Sequence, residues 1–117
     1  MKSSSAKAKG RALQKWVCAQ ISELTGFEWG EDAPISSRPM GKSGTDVRLE
    51  SQVQKVFPFA VECKNQQTWA VPAWIKQARS NQVEGTEWLL VMKRNHQQAV
   101  VCMDAVAFFK LLKEVKK

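Results

Sequence analysis

The stretch Val56-Phe57-Pro58-Phe59-Ala60-Val61-Glu62-Cys63-Lys64-Asn65 decides how the rest of the chain is read. An apolar run rich in aromatic and β-branched residues predicts a strand over about 56–64, and it stops abruptly in Glu-Cys-Lys-Asn. Side chains alternate across a strand, so Glu62 and Lys64 take one face and Cys63 the other. Charges at the edge of an apolar sheet are costly to bury, and a bound ion is one way to offset that cost.

Upstream, Gly44-Thr45-Asp46-Val47-Arg48-Leu49-Glu50 reads as a preceding strand, about 45–51, which places Asp46 sixteen residues before Glu62. If the two strands pair, Asp46 meets Glu62 across the sheet. Two hard carboxylates would then share one pocket with the Lys64 ammonium. Mg²⁺ prefers a few oxygen ligands and keeps several waters, so Asp46, Glu62 and the backbone carbonyl of Cys63 form a candidate ligand set. A metal ion so held can activate water and neutralise charge in phosphodiester cleavage. Lys64 could orient the water, assist its deprotonation or stabilise the phosphorane, and the sequence leaves these open. The plainer reading makes Asp46 a turn residue and Glu62 and Lys64 a solvated strand end. Glu-x-Lys alone separates little, because Glu114-Val115-Lys116 repeats it near the C-terminus. That copy falls on a predicted helix, with no upstream acid on a neighbouring strand, and is read as chance.

Gly-x-Asp followed by an apolar strand ending in Glu-x-Lys resembles the PD-(D/E)XK nuclease superfamily. The ordered set Gly44-Thr45-Asp46, Glu62-Cys63-Lys64 and then Gln77 on the next helix carries the resemblance, which spans residues 7–103 or so. Within the superfamily, the small size and basic first helix are most similar to phage-type and archaeal Holliday-junction resolvases and related phage endonucleases. Thr45 replaces the proline that names the motif, and Gln14 stands where archaeal resolvases usually carry a metal-site Glu. The resemblance implies a Mg²⁺-dependent DNA endonuclease, with Mn²⁺ as substitute, acting on branched or otherwise structured DNA. It implies catalytic roles for Asp46, Glu62, Lys64 and Gln77, and it brings Gln14 within reach of the same water. Junction resolution needs two identical sites, hence a possible symmetric homodimer. Trp29, Trp69 or the face around Phe108 and Phe109 are the candidate contacts.

At 117 residues the chain can bury one core, and its 44% apolar content fits a soluble globular domain. Eighteen Lys and Arg against eleven Asp and Glu leave a formal charge of +7. Such a balance favours a polyanionic partner, nucleic acid or an anionic membrane surface. No stretch approaches the roughly 20 apolar residues of a membrane span. Met1-Lys2-Ser3-Ser4-Ser5-Ala6-Lys7 is not followed by the apolar core of a secretory signal. DNA is therefore the expected partner, no membrane contact is expected, and the expected location is cytoplasmic. Cys18, Cys63 and Cys102 show no Cys-x-x-Cys spacing and His96 is the single histidine, so the thiols read as reduced and no zinc site is expected.

A first helix is predicted over 7–25, with Leu13, Trp16, Val17, Ile21 and Leu24 as its buried stripe and Gly26 ending it. Residues 27–43, with Gly30, Pro34, Pro39 and Gly41, read as a long irregular connection. Pro72 opens a second helix that runs to about Gln82. Residues 87–93, apolar without alternation, predict a strand buried on both faces. Asn95-His96-Gln97 predicts a turn, and residues 99–103 a last strand. Asp104 then caps a final helix in which Ala105, Phe108, Phe109, Leu112 and Val115 form the buried stripe. The order αββαββα predicts one α/β domain over 7–117 behind a flexible basic N-terminus at 1–6. Its core is a central mixed four-stranded sheet flanked by helices, the restriction-endonuclease-like plan.

Lys2, Lys7, Lys9, Arg11 and Lys15 precede the first acid, Glu23. Ser36-Ser37-Arg38-Pro39-Met40-Gly41-Lys42-Ser43-Gly44 runs directly into Asp46, combining hydroxyls, glycines and two cations suited to phosphate. Lys7, Lys9, Arg11, Arg38, Lys42, Ser43, Lys93 and Arg94 form the candidate DNA-binding set, against the plain reading of solvated surface charge. Gly41-Lys42-Ser43 lacks the upstream glycine and preceding strand of a P-loop. Trp69 and Trp74 either stack on bases or pack the core. Two other functions stay open. One is a nucleic-acid-binding module that keeps the fold without cutting; the other is an unrelated metal-dependent enzyme, such as an RNase or small phosphatase.

Overall fold

The computed structural model describes residues 3–39 and 42–116, so Lys2, Met40 and Gly41 of the stretches read above lie outside the described residues. Its first element, α1 (Ser3–Thr25), begins earlier than the expected residue 7. It ends where Gly26, at φ +83°, donates its amide to the Ser22 carbonyl at 2.8 Å. Glycine enters that left-handed conformation without strain. Leu13, Val17 and Ile21 are buried as expected, but Trp16 and Leu24 are 51% and 72% exposed. Gln14 and Cys18 take the buried places instead, so the covered face of α1 is rotated away from Trp16.

The stretch expected to be irregular contains a strand, β1 (Ile35–Ser37), paired antiparallel with β2 (Val47–Leu49). A helix that the sequence reading did not foresee, α2 (Ser51–Val56), follows at once. Val53 is buried, and the Gln54 amide donates to the carbonyls of Phe57 and Phe59 at 2.9 Å each. These bonds turn the chain into β3 (Phe59–Asn65), which therefore starts three residues later than expected.

β3 pairs in parallel with β4 (Glu87–Lys93), and β4 pairs antiparallel with β5 (Val100–Met103). A parallel pair needs a crossover, supplied by α3 (Val71–Ser80) with Pro72 in its first turn. The expected four-stranded sheet is not formed: three strands make the mixed sheet and two make a separate one. The reason is local. β2 gives its ladder to β1 and yields to α2 after three residues, and the bond to β3 comes from Asp46 just before it, whose amide donates to the Val61 carbonyl at 3.0 Å.

β4 divides its side chains between two cores. Val91 joins Leu13, Val17, Cys18, Ile21, Val61 and Cys63 beneath α1, while Trp88, Leu90 and Met92 pack with Trp74 and Ala78 of α3. Each fully buried Val or Leu contributes about 1.5–3 kcal/mol. Glu62 and Cys63 thus face different layers, as the alternation predicts.

The last helix, α4 (Ala105–Lys116), starts as expected, with Asp104 Oδ2 accepting the Ala107 amide at 3.0 Å. Its stripe is not buried. Phe108, Phe109, Leu112 and Val115 are 41%, 61%, 41% and 72% exposed, and Ala105 is exposed too. The small sheet already carries α1 on one face and α3 on the other, which leaves the last helix little surface to cover. No helix among the described residues is long and apolar enough to cross a membrane. All three cysteines are free, with Cys18 and Cys63 buried.

Candidate active site

The turn before Asp46 is pinned from both sides. Gly44 sits at φ +106°, a conformation that side-chain-bearing residues enter only with strain, and a Cβ there would also press on the Arg38 guanidinium, 2.9 Å away. Arg38 donates its Nε to the Thr45 carbonyl and its amide to the Asp46 carbonyl (2.8 Å). Thr45 is buried and donates its hydroxyl to the Val47 carbonyl at 2.9 Å, a bond that a proline at this position could not make. Asp46 then accepts the Cys63 amide at Oδ2, 2.7 Å away. The carboxylate occupies an edge donor that a neighbouring strand would otherwise take, and the bond is charge-assisted.

Glu62 lies beside it and is 1% exposed. Its Oε2 accepts Asn81 Nδ2 from the end of α3 at 2.9 Å, while Oε1 is buried with no partner among the described residues. Burial, and then the Asp46 charge, pushes Glu62 up to about 7, against Asn81 and Lys64. Asp46 is raised as well, by burial, with the Cys63 amide and then Lys64 opposing. Two desolvated carboxylates side by side resist joint ionisation. A cation held by these carboxylates would remove that penalty, and the unpartnered Glu62 Oε1 would be an acceptor for it. Among the described residues no cluster of three or more His, Cys, Asp or Glu side chains forms. The donor set is therefore two acids, which suits an ion that keeps several waters rather than one needing a closed cage.

A cleft of 1080 Å³ opens above the pair, lined by Asp46, Cys63, Lys64, Gln77, Asn81 and Gln14, and by Lys9, Lys42 and Ser43 from the basic set. Glu62 itself is too deep to line it. Lys64 is half-buried, its ammonium 5.9 Å from the Trp74 ring centroid. Gln77 is exposed on α3. Gln14 is 4% exposed, and its Oε1 accepts the Ser37 hydroxyl at 2.5 Å, so β1 helps to set its orientation.

The other cations lie outside this lining. Lys7 and Arg11 are exposed on α1. Arg38 is engaged with the Thr45 backbone as described. Lys93 Nζ donates to the Arg94 carbonyl at 3.2 Å. Arg94 lies over the Trp69 ring at 4.4 Å and donates Nε to the Gln67 carbonyl at 2.9 Å. Trp74 is a core residue, with Trp69 half-buried against the same cluster. Asn81 has no place in any motif, yet it stands four residues beyond Gln77 and so on the same helix face. That spacing was the available clue. Ser37 falls in the hydroxyl-bearing stretch read as suited to phosphate, but its bond to Gln14 depends on β1, which was not foreseen.

An acid from the turn before β2 thus stands beside an acid and a lysine of β3, under a cleft that Lys9 and Lys42 help to line. Residues 5–117 match the family model described as "Phage putative PDDEXK endonuclease", and the chain belongs to that family. No curated protein and no solved structure matches it.

Proposed function

We propose that the protein is a Mg²⁺-dependent DNA endonuclease acting on branched or structured DNA in phage or mobile-element DNA metabolism. The observation that carries this reading is the buried Asp46–Glu62 pair, with an orphaned oxygen on Glu62 and Lys64 beside it. Asp46, Glu62 and the Cys63 carbonyl would hold the ion, with Mn²⁺ as a substitute. A divalent cation there neutralises phosphate charge and lowers the pKa of water. Lys64, on the same strand face as Glu62, stabilises the charge that builds on the phosphate oxygens. Gln77 bonds the incoming phosphate from the cleft wall, and Gln14, held by Ser37, orients the attacking water. Lys9, Lys42 and Ser43 hold flanking phosphates, while Lys7, Arg11, Arg38, Lys93 and Arg94 widen the basic surface. Such an enzyme works in the cytoplasm, that of the host where a phage encodes it.

Paired incisions need two sites and one chain carries one, so the active form is a symmetric homodimer. The surface that supports it is α4 with the edge strand β5. Val106, Phe108, Phe109, Leu111, Leu112 and Val115 are between 41% and 72% exposed, and Val100 and Val101 are 44% and 61% exposed. Exposed apolar side chains in this number, on a terminal helix and an edge strand, are the kind of surface that marks association. Val100-Val101-Cys102-Met103 also lacks the charge or proline that shields edge strands.

Cleavage of a four-way junction, a linear duplex of the same sequence and RNA, each with Mg²⁺ or EDTA, tests the reading. Metal-dependent paired nicks in the junction, lost in Glu62→Ala, are expected. Cleavage in EDTA, or full activity in purified Glu62→Ala protein, would remove the site assignment.

A further inference from the structure

Trp16 keeps half of its indole in water although Leu13 and Val17, its neighbours on α1, are buried. A ring of this size is costly to leave exposed. It lines a groove of 690 Å³ between α1 and the turn from β4 to β5, with Lys9 and Lys93 in the same lining. An aromatic wall with cations at its rim suits a planar ligand that carries phosphate, which is the description of a nucleotide. The groove adjoins the cleft, with Lys9, Asn65 and Asn95 in the lining of both. Asn65 donates its amide to the Lys9 carbonyl at 3.3 Å, and its Oδ1 has no partner among the described residues.

We infer that this groove is a stacking subsite for one unpaired nucleotide next to the phosphate held in the cleft, an inference that rests on the nuclease reading above. Bases inside a duplex keep their faces stacked on one another, so a base can lie on Trp16 only when it is unpaired or extruded. The preferred substrate is then DNA with a single-stranded element beside the cut, a flap or an opened junction arm, rather than continuous duplex.

The test separates binding from cutting. Wild type, Trp16→Ala and Trp16→Phe are titrated in Ca²⁺ with a short single-stranded oligonucleotide and with duplex of the same sequence, and thermal melting checks each fold. Trp16→Ala should lose roughly tenfold to a hundredfold in single-strand affinity, Trp16→Phe should keep most of it, and duplex affinity should not change. An abasic site moved along the oligonucleotide should erase the difference between wild type and Trp16→Ala at one position. Equal single-strand affinity in wild type and Trp16→Ala would overturn the inference. So would a Trp16→Ala effect confined to sedimentation, which would assign the indole to a protein contact. Trp16-dependent stacking in a protein that cuts nothing in Mg²⁺ would uphold the subsite and remove the nuclease reading, whereas metal-dependent cutting indifferent to Trp16 would do the reverse.

Discussion

Glu62-Cys63-Lys64 and Glu114-Val115-Lys116 carry the same charges at the same spacing, one triplet in β3 and the other in α4. In the strand, residues two apart share a face. Glu62 is buried against Asp46 and Asn81, and Lys64 stands on the same side over Trp74. In the helix each residue turns about 100°, so Glu114 and Lys116 point roughly 200° apart, and both are exposed. The spacing of a motif therefore has meaning only in the period of the element that carries it. The burial of β3 between α1 and α3 then turns two charges into a strained pair.

The sharpest way to break this comparison is to neutralise each glutamate. Glu62→Gln should lower single-turnover cleavage by at least ~10³-fold, the scale of losing one preorganised charge-stabilising group, with Asp46→Asn and Lys64→Ala alike. Glu114→Gln should leave the rate unchanged. Equal losses from the two glutamates would dissolve the distinction drawn between the triplets.

Stability against pH sharpens the same contrast. Burial raises Glu62 from its ordinary 4.5 to about 7, so between these values the folded state binds the proton more tightly than the unfolded chain. The Glu62 contribution to metal-free stability is then full below about 4.5 and is lost as pH rises through 7, an effect on the order of 3 kcal/mol; the raised Asp46 acts in the same direction. Melting temperatures without metal should show this fall, Glu62→Gln should flatten it, and Mg²⁺ should restore stability above pH 7. Glu114→Gln should not alter the slope.

Asn81→Ala removes the donor to Glu62 Oε2 while leaving both triplets intact. Activity should drop ~10–100-fold, the usual effect of deleting a partner behind a metal ligand. The Mg²⁺ needed for half-maximal rate should rise, and the pH profile should move upward, since Asn81 holds the Glu62 carboxyl down. An unchanged pH profile would reduce Asn81 to a helix-end residue.

On the α4 side, Phe109→Asp should weaken self-association by at least ~1–2 kcal/mol, read by sedimentation, with paired junction cuts giving way to single nicks. A wild-type monomer both free and on a junction would remove the dimer. The smallest effect belongs to the cations on the N-terminal half of α1. Replacing Lys7, Lys9 and Arg11 by Ala should lower the slope of log affinity against log salt by about 0.9 for each lost phosphate contact. A constant slope would make this face a bystander.

Much of the fold is legible wherever local pattern and tertiary demand agree. Residues 87–93 read as a strand buried on both faces, and β4 is one. Pro72 and Asp104 mark helix starts because each acts within one turn, and Gly26 marks an end for the same reason. α2 and β1 escaped because Val53 and Ile35 are short apolar signals whose roles come from distant partners. The stripe of α4 misled because period 3.6 shows which residues share a face, not whether anything covers it.

The sequence by itself determined that Glu62 and Lys64 share a strand face, that Gln77 follows on a helix, and that the chain carries excess positive charge. Those properties depend on residues within a few positions of one another, or on composition alone. Only the tertiary structure decided that Asp46 joins β3 through its own amide and carboxylate rather than as part of a fourth strand. It also decided that Asn81 holds Glu62, and that Trp16 stays in water while Gln14 is buried. Each of these depends on which surfaces meet across long loops, and that is set by how β1, β2 and α1 compete for the faces and edge of one small sheet.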